Sequence, residues 1–268
     1  MTSLIGDAPV DGVDVAALLG IPISAEQERA VQAPLKPCAV IAGAGTGKTT
    51  VMAARVVWLV ASRLVSPEEI LGLTFTNKAT AELSERIESN LTRVGLLTSE
   101  QPRPTVATYD SFAGTLVNDY GAWDGINTGA HLITAARAYQ LAAEVIMGLN
   151  KAPLAATHMG PTFIAQAVVK LAGAMASHDA SPGKVRRADA RWRQMLLDAP
   201  TKRGGDRYAD IDKWLSRVDE REELLDLVAA YQNLKKERGL VEFGDRMVQA
   251  LHLVTHHPRV GEELRARY

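Results

Sequence analysis

The sequence predicts an α/β fold: a partial parallel sheet with flanking helices, joined to an inserted, all-helical subdomain. Three observations lead there. A short apolar run at 39–42 empties into a glycine-rich turn and then Lys-Thr-Thr. Two further β-branched or leucine-rich runs, 70–75 and 105–108, follow at intervals that leave room for one helix each. From 121 to 230 the strand signal vanishes, and amphipathic helical stretches divided by Pro/Gly breaks take over.

The first run, AVIAGAGTGKTT, carries the strongest chemical signal. Val40 and Ile41 read as a buried strand. Gly43, Gly45 and Gly47 let the backbone wrap with its N–H groups pointing inward, and the helix behind them presents its positive dipole end. Such a hollow suits phosphates. Ala44, Gly45, Thr46, Gly47, Lys48, Thr49 and Thr50 would line it, with Lys48 reaching the β/γ-phosphates and Thr49 holding Mg²⁺. The usual pattern begins with glycine six positions before the lysine, where this chain has Ala42. The bland alternative, an ordinary strand-to-helix connection, fits poorly with Gly-Lys-Thr-Thr directly behind a β-branched run.

Composition bounds the rest. The chain has 268 residues, an ordinary apolar and charged content and a formal net charge of −1. Any attraction to nucleic acid must therefore come from local patches. Its one cysteine, Cys38, has no internal disulfide partner and reads as a small residue entering a strand. No apolar run approaches the roughly 18 residues that span a bilayer, and the N-terminus lacks the basic-then-apolar order of a signal peptide. The expected location is cytoplasmic, with no membrane partner.

Helices expected at 48–62, 78–91 and 110–120 separate the three strands, giving βαβα order and parallel pairing. The motif-bearing loops all fall at the strands' carboxyl ends: the glycine turn, TFTNKAT and TYDSF. Further on, Thr134 reads as the N-cap of a helix, PTFIAQAVVKLAGAMA as a second, and the stretch ADIDKWLSRV to KKERG as a long one closed by Gly239. The interval 181–208 reads as polar, basic and loop-rich. The tail returns to an amphipathic helix, with His256-His257 before Pro258 marking a helix end.

Taken together, SAEQERAV, AGAGTGKTT, LTFTNKATAELSERI and TYDSF resemble, in order and spacing, the N-terminal motifs of the UvrD/Rep/PcrA group of superfamily 1 DNA helicases. The resemblance runs over essentially the whole chain. It implies a P-loop, RecA-like subdomain 1A over 1–120, a helical subdomain 1B over 121–230, and a return of 1A over 231–268. In that group the next element is an apolar strand ending in Asp-Glu, so the resemblance implies an N-terminal portion that stops short of the Walker B strand. It further implies ATP and Mg²⁺ as cofactors, and 3′-to-5′ movement on single-stranded DNA or at single/double-strand junctions, in the setting of DNA repair.

Each carried-over residue also has a plainer reading. Gln27 matches the family's adenine-reading glutamine, yet Ser24 and Gln27 have the spacing of a capping box. Thr76, Asn77 and Lys78 match a motif that lies along single-stranded DNA, with Phe75 as a base platform, yet Thr76 or Asn77 also suits an N-cap and Phe75 the core. In TYDSF, Thr108 and Ser111 match phosphate contacts, while Asp110 stands where the family has histidine. A carboxylate there either points away as a cap or alters the DNA contacts. Lys184, Arg186, Arg187, Arg191, Arg193, Lys202, Arg203 and Arg207, near Trp192 and Tyr208, form either a duplex-binding patch or a solvated, salt-bridged face, since Asp189, Asp198 and Asp206 are interspersed. The six histidines share no ligand spacing, and Asp245 is given a structural role.

The resemblance implies a parent ATP-dependent DNA helicase of which this portion binds ATP and DNA but does not turn over alone. Two rivals stand beside it. A P-loop enzyme of another class, such as a small nucleotide kinase, leaves TFTNKAT and TYDSF unexplained. A non-catalytic DNA-binding or interaction module with a vestigial loop sits badly with intact Gly47-Lys48-Thr49.

Overall fold

The computed structural model describes residues 12–149, 160–202 and 204–268. Two short strands, β1 (Leu71–Thr74) and β2 (Thr105–Thr108), pair in parallel with Thr74 beside Thr108. Parallel neighbours need a crossover, and helix α4 (Asn77–Arg93) supplies it. Helices α1 (Val15–Leu19), α2 (Ala25–Val31) and α3 (Lys48–Ala61) precede β1. On α3 the buried stripe is Ala53, Ala54, Val57 and Val60, and on α4 it is Leu83, Ile87 and Leu91. Spacings of three and four put each set on one helix face. The two stripes meet Val15, Leu19 and Val31 in a single apolar cluster.

The chain divides into two compact units, one of residues 12–112 with His257–Tyr268 and one of Ala113–His256. The division falls inside helix α5 (Tyr109–Tyr120). In the second unit, helices α6 (Ala135–Met147), α7 (Pro161–Ser177) and α9 (Ala209–Glu237) enclose a core of Leu141, Ile164, Val168, Leu225, Val228 and Tyr231. Helix α8 (Pro182–Leu197) packs on α9. Helix α10 (Phe243–His256) ends the unit, and α11 (Pro258–Arg267) belongs to the other.

Three sequence expectations are corrected. Residues 39–42 form no strand: Val40 is 56% and Ile41 98% exposed. A strand exists only through a ladder with a neighbour, and among the described residues β1 and β2 pair only with each other. The helical unit is not strand-free, because β3 (His131–Leu132) pairs in parallel with β4 (Leu240–Val241). Nor is 181–208 mostly loop. Ser181 caps α8 through the Lys184 N–H, and the helix of sixteen residues starts at Pro182.

Candidate phosphate loop and strand-end surface

The glycine turn leads directly into α3. Gly45 has φ +77° and Gly47 φ +80°, a left-handed region closed in practice to side-chain-bearing residues. Nothing lies within 4 Å of where a Cβ on Gly45 would stand, so that backbone is open to a close-fitting ligand. Thr46 Oγ1 donates to the Gly43 carbonyl at 2.9 Å and braces the turn. Lys48 opens α3 and folds back, its Nζ donating to the carbonyls of Ala42 at 3.2 Å and Gly43 at 2.6 Å. Thr49 is exposed in the first helical turn, where free backbone N–H groups and the helix dipole favour negative charge. These residues fit a triphosphate: a left-handed glycine nest, an ammonium beside it and an adjacent hydroxyl.

Two side chains from elsewhere reach this turn. Gln27 completes a capping box on α2, its Oε1 accepting from the Ser24 N–H at 2.9 Å while Ser24 Oγ accepts from the Gln27 N–H at 3.3 Å. The other half of its amide donates from Nε2 to the Thr46 carbonyl at 3.1 Å. Capping and loop contact are thus both realised in one side chain. From α4, Arg86 Nη1 donates to Thr50 Oγ1 at 2.9 Å. No local pattern singles out Arg86, because its partner lies 36 residues away.

The β1 and β2 ends form the second surface. Register places Thr74 against Thr108, so the residues that follow each strand are neighbours. Phe75 is 88% exposed, and its ring stands 5.1 Å from that of the exposed Tyr109, tilted by 38°. Phe75 faces solvent, not the core. Tyr109 escaped the sequence reading, although its place directly after β2 and the parallel order together signal it. Thr76 caps α4 by accepting from the Ala79 N–H at 3.1 Å. Asn77 is exposed, and Lys78 lies 3.8 Å from Glu82, a surface pair of small energetic weight. Thr108 is buried, donating to Ser111 Oγ at 2.8 Å and accepting the Ser111 N–H at 3.0 Å. It therefore fills the capping role at α5, while Asp110 sits in the first turn, where the dipole favours a carboxylate.

In the helical unit several of the basic residues are engaged. Arg186 meets Glu222 at 2.5 Å and Asp226 at 2.6 Å, Arg193 pairs with Asp219, Arg207 lies 3.4 Å from Asp212, and Lys184 lies 3.5 Å from Asp179. Buried Asp189 takes a bidentate grip from Arg221, whose guanidinium also approaches the Trp192 ring. These contacts make part of a salt-bridged face; among the described residues Arg187, Arg191 and Lys202 join no ion pair, and Arg203 lies outside the described residues. Lys235, with a side chain 2% exposed, donates to Glu242 and Asp245 at 2.6 Å each. Tyr231 donates its hydroxyl to Glu242 at 2.8 Å, and burial, then that carboxylate, push its phenol pKa well above the ordinary value. Asp245 also accepts the Glu242 N–H at 2.8 Å, which fixes the start of α10.

No group of three or more His, Cys, Asp or Glu among the described residues is placed to hold a metal ion, and no described helix is long and apolar enough to cross a membrane.

Short parallel strands, a glycine turn opening onto a helix, and a largely helical remainder define a mixed α/β chain. The profile of the UvrD/REP helicase N-terminal domain matches residues 23–268, and the chain belongs to that family. It is 48% identical over 65 residues to an ATP-dependent DNA helicase UvrD1 of Mycobacterium leprae, a match covering 24% of this chain and 8% of that protein. Against a DNA helicase II of Haemophilus influenzae the figures are 43% over 81 residues, 30% and 11%. Against a DNA helicase II of Rickettsia typhi, identity is 25% over 246 residues, covering 92% of this chain and 32% of that protein. The chain thus spans about a third or less of the relatives it matches.

Proposed function

We propose that this chain is the ATP- and DNA-binding portion of an ATP-dependent DNA helicase that moves 3′-to-5′ on single-stranded DNA. The observation that carries the reading is the glycine turn, where left-handed Gly45 and Gly47 bring Lys48 onto the loop at the head of α3. Its carbonyl partners are neutral, so phosphate oxygens are stronger acceptors and displace them. Lys48 then holds the β/γ-phosphates, the N–H groups of 44–50 share the charge, and Thr49 holds Mg²⁺ that arrives with the nucleotide. ATP supplies the phosphoryl group whose hydrolysis drives movement. This chain grips it, and on its own binds weakly without steady turnover, because phosphate grip is only one part of that chemistry.

Gln27 reads adenine by exchanging Ser24 for the base edge, while its contact to Thr46 keeps it beside the loop. On the strand-end surface, Phe75 and Tyr109 give bases a stacking platform, and Thr76, Asn77, Lys78 and Ser111 line the backbone path. Thr108 acts through Ser111, which its hydroxyl orients. The relatives' names, an ATP-dependent DNA helicase UvrD1 and a DNA helicase II, support this reading.

Titrating the chain with ATP·Mg²⁺ and with a single-stranded oligonucleotide tests it. The wild type binds both. Phe75→Ala lowers oligonucleotide affinity by about 5- to 100-fold, the range expected for one lost base stack, and leaves ATP binding unchanged. A wild-type chain that binds neither ligand at millimolar concentration overturns the proposal. For polarity, the parent protein is run on tailed duplexes, and unwinding from a 5′ tail alone contradicts the 3′-to-5′ assignment.

A further inference from the structure

Arg86 is exposed, and its partner is a hydroxyl where many arginines in this chain have carboxylates. Arg103 pairs with Glu88, Arg186 with Glu222, Arg193 with Asp219, Arg221 with Asp189 and Arg238 with Glu144. Among the described residues no carboxylate pairs with Arg86. Glu82 and Glu85, on its own helix, leave it alone, Glu82 facing Lys78. The direction of the side chain is set by packing. Leu83 and Ile87 of α4 lie in the same apolar cluster as Ala53 and Val57 of α3, which holds Arg86 over the first turn of α3.

That turn is part of the phosphate loop, and the contact falls on an identifiable side of it. A Cβ on Gly47 would stand 3.2 Å from Gln27 Nε2 and 3.9 Å from Thr50 Oγ1. Gln27, Gly47, Thr50 and Arg86 are therefore contiguous. Lys48 is tied elsewhere, to the carbonyls of Ala42 and Gly43.

We propose that Arg86 is a further nucleotide-binding residue, which holds the nucleoside end of the nucleotide through its base and α-phosphate. This rests on the ATP reading above, in which Gln27 marks the base side of the loop. With one N–H on Thr50, the guanidinium keeps its remaining donors for an α-phosphate oxygen and both flat faces for a purine ring. Thr50 is the positioning residue, because its hydroxyl fixes where that plane stands.

Calorimetric titration of the 268-residue chain with ATP and, separately, with inorganic pyrophosphate tests the assignment. Pyrophosphate stands for the β- and γ-phosphates without the α-phosphate and the nucleoside. Arg86→Ala lowers ATP affinity about tenfold, the size of one lost hydrogen bond to a charged group, and leaves pyrophosphate affinity within about twofold. Arg86→Lys, which keeps the charge but not the plane, recovers only part of the loss. Lys48→Ala weakens both ligands. Unchanged ATP affinity in Arg86→Ala overturns the proposal, as does an equal loss for ATP and pyrophosphate, which would put Arg86 on the outer phosphates. If Lys48→Ala weakens neither ligand, or the wild type binds no ATP, the ATP reading fails and takes this inference with it. Arg86→Gln with its circular dichroism melt serves as the folding control, and a melt matching wild type with full ATP affinity also counts against the proposal.

Discussion

Lys48 and Lys235 carry the same ammonium and are held in opposite ways. Lys48 is exposed at the head of a helix and bonded to two neutral carbonyls. Lys235 is buried and bonded to two carboxylates, one of which also takes the Tyr231 hydroxyl. A cation on carbonyls can be recruited by a better acceptor. A buried cation on carboxylates cannot leave without stranding its partners. The difference separates a group kept for a ligand from a group kept for the fold, and it can be read from the partners alone.

The contrast predicts effects of decreasing size. Lys235→Met leaves Glu242 and Asp245 facing each other without a counter-charge and costs about 3–5 kcal/mol of stability, read as a lower urea midpoint. Adding Glu242→Gln recovers part of it, and a single variant as stable as wild type would dissolve the comparison. Lys48→Ala does the reverse. Stability stays within about 0.5 kcal/mol of wild type, while ATP affinity falls by roughly 10- to 100-fold, equivalent to about 1.5–3 kcal/mol of charge-assisted bonding.

The smallest effect concerns Tyr231. Its pKa is raised in the folded chain, so the unfolded chain releases that proton first, near pH 10. Stability from this group is full below about pH 10 and declines above it. Tyr231→Phe costs about 1 kcal/mol at neutral pH through the lost hydrogen bond and flattens the alkaline decline. Melting temperatures of the two proteins from pH 8 to 11 measure both, and parallel curves would remove Tyr231 from the network.

Local features were legible in the sequence, and non-local ones were not. Helix α4 announces itself through Leu83, Ile87 and Leu91 at intervals of four, and Thr134 and Ser24 announce their caps through spacing alone. The run 39–42 misled because β-branched residues declare a preference, whereas a strand needs a neighbour in register. Helix α8 was obscured because its buried anchor is Asp189, a charge that only Arg221, 32 residues on, makes tolerable in the interior. At the candidate site, the glycines and Lys48 were plain from their spacing. Tyr109 emerges only once β1 and β2 are paired, and Arg86 only once α3 and α4 share a core.

Cys38 is the chain's one thiol, exposed five residues before Gly43. A maleimide dye coupled to it labels a single place without mutagenesis, near the turn whose carbonyls Lys48 now holds. Movement of that turn on nucleotide binding would register as a change in emission, which turns an incidental residue into an optical gauge of loop occupancy.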